Sequence, residues 1–153
     1  FNKNTTLFLN TGLLNTNRDG FSYPSGFNED NGDINYTYKP NREQARAPSY
    51  TINAGLESYI TKKLFIRFEA IAKDKYYYFD NQNEMSKSYQ IINLNTRYQF
   101  NDSFSLSVTI KNALNKKYSI HGFYFSLDGF MPPQLYESPG DPKSLSMKLD
   151  YKF

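Results

Sequence analysis

The sequence has no cysteine, no tryptophan and a single histidine, His121, and each shortage removes a class of chemistry. Without cysteine there is no disulfide framework, which still leaves an extracytoplasmic home open. A nucleophilic triad would need Ser119 or Ser126 with His121 and Asp128, all crowded into one loop without a rigid scaffold, so no enzyme is expected. No apolar run approaches the roughly 20 residues a transmembrane helix needs, and the mean hydropathy is -0.71. No segment carries a convincing amphipathic-helix pattern. The 18 Lys and Arg are scattered among 15 Asp and Glu, for a net charge of +3. That dispersion leaves no basic stripe and hence no nucleic-acid partner. The acidic stretch "NEDNGDIN" has Gly32 out of register for a calcium hand and no closing bidentate Glu, so a solvated loop is expected, with no metal and no cofactor. The 153 residues suit one domain. Residue 1 is Phe with no charged and apolar leader after it, which fits a removed signal peptide or a start inside a longer chain.

What is present is a period of two. The stretch "SLSMKLDYKF" puts Leu145, Met147, Leu149, Tyr151 and Phe153 on one face and Ser144, Ser146, Lys148, Asp150 and Lys152 on the other. The same alternation runs through Phe104–Lys111, Ile92–Phe100, Leu64–Lys73 and Tyr50–Ile60, and more weakly through about Thr5–Thr16 with Leu7, Leu9 and Leu13 on the apolar side. Six strands are expected. Their connections alternate in length. "TKK" at Thr61–Lys63 and "ND" at Asn101–Asp102 are tight turns, whereas about Asn17–Ala47, Asp80–Lys87 and Ser119–Pro142 are long and rich in Gly, Pro, Asn and Asp.

Short turns at one end and long loops at the other describe the wall of a membrane β-barrel, but period two also fits a soluble β-sandwich whose oily face packs on a second sheet. The sorting of aromatics separates the two. A bilayer favours an aliphatic middle between aromatic girdles, and a sandwich core has no reason to sort by height. Tyr98, Phe100, Phe104, Tyr151 and Phe153 gather near the tight turns, Tyr50, Tyr76 and Tyr78 near the long loops, and Ile52, Ala54, Leu56, Ile66, Ala70, Leu94, Leu106, Val108, Leu145 and Met147 between them, with Phe68 the exception. None of these positions is charged. The sorting favours the membrane wall, and a soluble sandwich that binds carbohydrate through aromatic loops is the alternative.

The stretches "VTIKNALNKKYSIHGFYF" and "GDPKSLSMKLDYKF" resemble the carboxyl-terminal end of TonB-dependent outer-membrane receptors. An N-L-F-x-K-x-Y-like signature falls on Asn112–Tyr118, with Ala113 and Leu114 in place of the usual Leu-Phe. A G-x-P-R-like start of the last strand falls on Gly140–Lys143 with Lys143 for Arg, and Ala47-Pro48 resembles the family's Ala-Pro start of an upstream strand. His121 stands where an R-G-F-Y-like loop often has Arg. The resemblance implies an all-β, antiparallel transmembrane barrel wall, about six strands of a barrel of about 22. Residues 1–153 would be its carboxyl-terminal portion, without the plug that fills the family's lumen.

It further implies a bacterial outer-membrane protein that captures a scarce nutrient, most often an iron-siderophore complex, and passes it inward when the TonB complex moves the plug. The implied partners are membrane lipid, the rest of the barrel and plug, the TonB complex through that plug, a small-molecule ligand, and the barrel assembly machinery, whose recognition signal Tyr151 and Phe153 resemble. Ligand contacts would come from Tyr23, Tyr36, Tyr38 and Arg42 in the first long loop and His121, Phe123, Tyr124, Phe125 and Tyr136 in the last, since aromatic rings and cations suit anionic, catecholate-like or sugar-like ligands. Arg67, Glu69, Arg97 and Lys111 on the polar face are expected to pair with one another or with the plug. The sequons at Asn4 and Asn35 carry little meaning in such a membrane.

Overall fold

The computed structural model describes residues 4–126 and 132–153. Its ten strands are β1 (Thr5–Leu13), β2 (Phe21–Phe27), β3 (Ile34–Lys39), β4 (Tyr50–Tyr59), β5 (Leu64–Lys73), β6 (Tyr89–Asn101), β7 (Phe104–Lys111), β8 (Ser119–Phe125), β9 (Gln134–Pro139) and β10 (Ser144–Tyr151). Every pairing is antiparallel, and the described residues contain no helix. Six strands form one sheet in the order β1-β4-β5-β6-β7-β10, and β2-β3 and β8-β9 are separate two-stranded sheets. The six strands of the wall are those the alternation marks. The long connections differ from expectation, because two of the three carry a hairpin of their own.

Register explains why one face is oily. Leu7 lies opposite Leu56, Leu56 opposite Phe68, Phe68 opposite Leu94, Leu94 opposite Ile110, and Ile110 opposite Leu145. One unbroken apolar row thus crosses all six strands. A one-residue slip in any strand would turn that strand's contribution to the other face. The adjacent row on the opposite face reads Thr6, Glu57, Arg67, Asn95, Thr109, Ser146 and is polar throughout. Side-chain bonds knit this face: Arg67 lies 3.3 Å from Glu57 and 3.4 Å from Glu69. Asn53 and Asn93 donate to the two oxygens of Glu69 at 3.2 and 3.0 Å, and Asn95 donates to Thr109 at 2.6 Å.

The tight turns follow from side-chain capping. Thr61 Oγ1 accepts from the backbone of Lys63 and Leu64, and Asn101 Oδ1 accepts from Ser103 and Phe104, so each turn satisfies its own amides. At this end the Tyr98 and Phe100 rings lie 4.9 Å apart, Phe100 and Phe104 4.9 Å, and Tyr151 and Phe153 5.0 Å, so the aromatics gather at the tight turns.

The second sheet that the sandwich alternative requires is not found among the described residues. Each strand contacts only its hydrogen-bonded neighbours, so no second sheet covers the apolar face among the described residues. Leu9 and Met147 on that face are each 67% exposed. The most deeply buried apolar side chains are instead Tyr76 and Tyr78, at 5% and 1% exposure. Both stand in the β5–β6 loop. Their expected place in an outer girdle is therefore wrong, because β5 ends at Lys73 and the chain folds inward, with Tyr77 bridging to Met85.

Candidate functional site

The long connections close into a roof over one end of the sheet, and residues 74–88 are its keystone. Tyr76 and Ser86 bond each other's backbone, Tyr76 N donating to Ser86 Oγ at 3.0 Å and Ser86 N to Tyr76 O at 2.9 Å. Tyr78 N donates to Glu84 O. From this loop Tyr76 Oη donates to Ile120 O at 2.9 Å, and Tyr78 Oη donates to Glu137 Oε1. The hairpin returns the gesture: the Tyr124 hydroxyl bonds the Glu84 carboxylate, and its ring lies 5.6 Å from Phe79. The loop thus supplies two tyrosines and a glutamate to the hairpin, and the hairpin one tyrosine and one glutamate to the loop. Gly122 permits the contact, since a Cβ there would stand 2.5 Å from the Tyr78 ring.

On the other flank Arg18 pairs with Asp80, and Ala45 N donates to Asp80 at 3.0 Å. Arg42 stacks over the Tyr77 ring at 3.7 Å and donates to Asn83 at 3.5 Å. Lys39 donates to the same Asn83 oxygen at 2.9 Å.

Burial first, then Glu137, pushes Tyr78 well above the usual phenol range, so it stays a donor. The hydrogen bond from Tyr124 holds Glu84 below its ordinary 4.5. Burial raises Asp80, but the Ala45 amide and Arg18 outweigh it and hold the group below 3.8. A depressed carboxylate adds stability above its ordinary value and loses it as pH falls through its lowered one. Hydrogen exchange over residues 74–88 and 119–125 should therefore quicken as pH drops below about 3.8, relative to the intrinsic rate, while β5 and β6 stay protected. Unchanged roof protection at pH 3 would remove these carboxylates from any role in holding it.

The structure divides the expected contact residues. Tyr36 and Tyr38 are exposed on one face of β3. Tyr23 turns towards Phe21, 6.1 Å away, and lines a groove of about 460 Å³ with Arg18, Tyr78 and Phe79. Arg42 is occupied by Tyr77 and Asn83. On the second hairpin His121, Phe123, Tyr136 and Phe125 form a continuous ladder, with successive ring separations of 6.3, 5.9 and 6.5 Å. Tyr124 is on the reverse side, against Phe79. Among the described residues no ring contact joins the two hairpins.

The acidic stretch at Asn28–Asn35 is consumed by its own turn: Gly32 N and Asn28 N close on Asn28 O and Asp33 O, each at 2.8 Å, and Asn31 donates to Asp33. No cluster of three or more His, Asp or Glu converges among the described residues. Asp128 lies outside the described residues. Tyr151 ends β10 and stacks edge-on against Phe153, which is fully exposed. Glu84, Glu137, Arg18 and Asp80 were not legible as site residues; the one sequence signal near them is "YYYF" at Tyr76–Phe79, too many consecutive aromatics for an alternating strand.

The described residues thus form an antiparallel sheet with one uncovered oily face, one polar face and a packed roof of loops at one end. A solved structure shares this fold: the siderophore receptor PiuA from Acinetobacter baumannii matches 99% of this chain with a TM-score of 0.76 at 15% identity. This chain spans 20% of that receptor's length. The siderophore receptor PirA from the same organism matches 97% of the chain at 17% identity, over 29% of its own length, with a TM-score of 0.49. No protein-family model and no curated protein matches the sequence.

Proposed function

We propose that this chain is part of the barrel wall of a TonB-dependent receptor in a bacterial outer membrane, carrying an iron-siderophore complex inward. The observation that carries the reading is the pair of rows, wholly apolar on one face and wholly polar on the next, with no described residue forming a second sheet over the oily one. Such a face suits lipid, and the polar face with its Glu57–Arg67–Glu69 ladder suits a water-filled lumen and a plug. The ladder of His121, Phe123, Phe125 and Tyr136 and the exposed Tyr36 and Tyr38 offer rings to an aromatic or sugar-like ligand. The remaining strands, the plug and the TonB complex complete the transporter, and the barrel assembly machinery inserts it.

Sidedness provides the test. A cysteine at Asp30, on the exposed tip of β2–β3, should react with a membrane-impermeant thiol reagent on intact cells. One at Asp102 should react only after the outer membrane is opened. Labelling of Asp102→Cys on intact cells would invert the topology and take the ligand site away from the roof. In the same cells, Phe123→Ala combined with Tyr136→Ala should reduce siderophore-dependent iron uptake while leaving the amount of inserted protein unchanged.

A further inference from the structure

At the foot of the β8–β9 hairpin lies a cleft of about 660 Å³, whose lining includes Lys87, Lys116, Lys117, Tyr118, Pro139 and Pro142. We propose that it holds the phosphate of a membrane lipid headgroup; this rests on the membrane placement above and adds a ligand site separate from the siderophore. Three lysines line the cleft, and among the described residues none of their ammonium groups is within ion-pair distance of a carboxylate. Glu137 also lines it, but its carboxylate is engaged by Tyr78. Of the other roof cations, Arg18 pairs with Asp80, and Lys39 and Arg42 donate to Asn83.

The lysines project from a fixed turn. Asn112 is buried and sits at φ 46°, and Asn115 sits at φ 50°. Both are left-handed conformations that persist only where surrounding bonds over-determine them. Asn112 supplies those bonds: its amide donates to Lys116 O and Asp141 O at 2.9 Å each, and its oxygen accepts from Lys116 N at 2.9 Å. Gly140 N closes on Tyr118 O at 2.8 Å, and a Cβ at Gly140 would fall 2.1 Å from the Tyr118 ring. The Tyr118 ring in turn stacks on Tyr89 at 4.2 Å. A turn held this firmly presents Lys116 and Lys117 with little backbone freedom left to lose on binding.

Continuity with the oily face selects a lipid over a free anion. Ser88 and Lys116 are shared with a second groove of about 320 Å³, lined also by Tyr50, Gln90 and Leu114. Tyr50 lies opposite Leu13, and Gln90 opposite Ala72 and so in line with Ile52, on the apolar side of the sheet. A lipid phosphate at the lysines would therefore have its acyl chains beside the apolar rows, whereas a soluble anion gains nothing from them.

The test uses the assembled outer-membrane protein that contains this chain, extracted in nonionic detergent. Native mass spectrometry would compare binding of dioleoyl phosphatidic acid, dioleoylglycerol and inorganic phosphate. Wild type should retain phosphatidic acid over both others. Joint replacement of Lys87, Lys116 and Lys117 by Gln should weaken that binding roughly 100-fold, since each lysine near an anionic headgroup contributes about a factor of five, and replacement by Arg should restore it. Heat modifiability confirms that each variant is folded. Equal retention by the Gln variant, equal retention of dioleoylglycerol, or equal binding of inorganic phosphate would each overturn the assignment. Surface labelling at Asp30→Cys is independent of the lysines, so failure here leaves the receptor reading standing.

Discussion

Refolded alone in detergent, residues 1–153 should not yield a monomeric, heat-modifiable barrel. They should aggregate through their edges or require additional strands. β1 and β10 each have one hydrogen-bonded neighbour in the sheet, β4 and β7 respectively, so each leaves a row of backbone N–H and C=O groups without a partner strand. In hydrocarbon each such group costs several kcal/mol, and a handful of them exceeds the roughly 5–15 kcal/mol by which whole domains are stable. In water the sheet fares no better, because Leu7, Leu9, Leu145, Met147 and Leu149 stand exposed in a contiguous apolar surface. Sedimentation and amide protection with and without detergent decide the matter. A detergent-free monomer with strongly protected wall strands would sink the membrane-wall reading, since only a covered oily face permits that state.

The wall was legible because each of its strands obeys one rule. Phe104–Lys111 alternates without a fault and Leu64–Lys73 departs only at Phe65 and Ile71, and the register that joins such strands follows once the oily residues must share a face. The roof obeys no such rule. β2, "FSYPSGF", contains Pro24 and Gly26, and its register shifts between them; a proline inside a run argues against a strand unless it is a short or irregular one. β8, "SIHGFYF", shifts register between Ser119 and His121, which hides its alternation. Tyr76 and Tyr78 continued the period of β5 on paper, yet the loop turned them inward because the hydroxyls found Ile120 O and Glu137, 44 and 59 residues away. Separations of that length leave no local trace. The aromatic residues of the candidate site were visible as residue types, but which of them form a ladder and which pack into the roof depends on a pairing that only the folded hairpin establishes.

The reach of the oily face can be measured at single positions. Leu94 stands in the unbroken apolar row between Phe68 and Ile110, and Val108 stands in the next row between Thr96 and Met147. If lipid covers these rows, Leu94→Arg or Val108→Arg places a guanidinium near the bilayer midplane, at a cost of about 2–4 kcal/mol. That corresponds to a loss of roughly 30-fold to nearly 1,000-fold in the folding equilibrium. The arginine's long stem recovers part of this only near a membrane interface. Ser146→Arg provides the control, because Ser146 is adjacent to Met147 in β10 and closes the polar row beside Thr109, so its side chain points to the opposite face at nearly the same depth. In the assembled barrel, the amount of heat-modifiable protein in the outer membrane should fall sharply for the first two variants and stay near wild type for the third. Equal loss in all three would mean that depth, not face, governs tolerance, and equal tolerance in all three would mean that no lipid touches the row from Leu7 to Leu145.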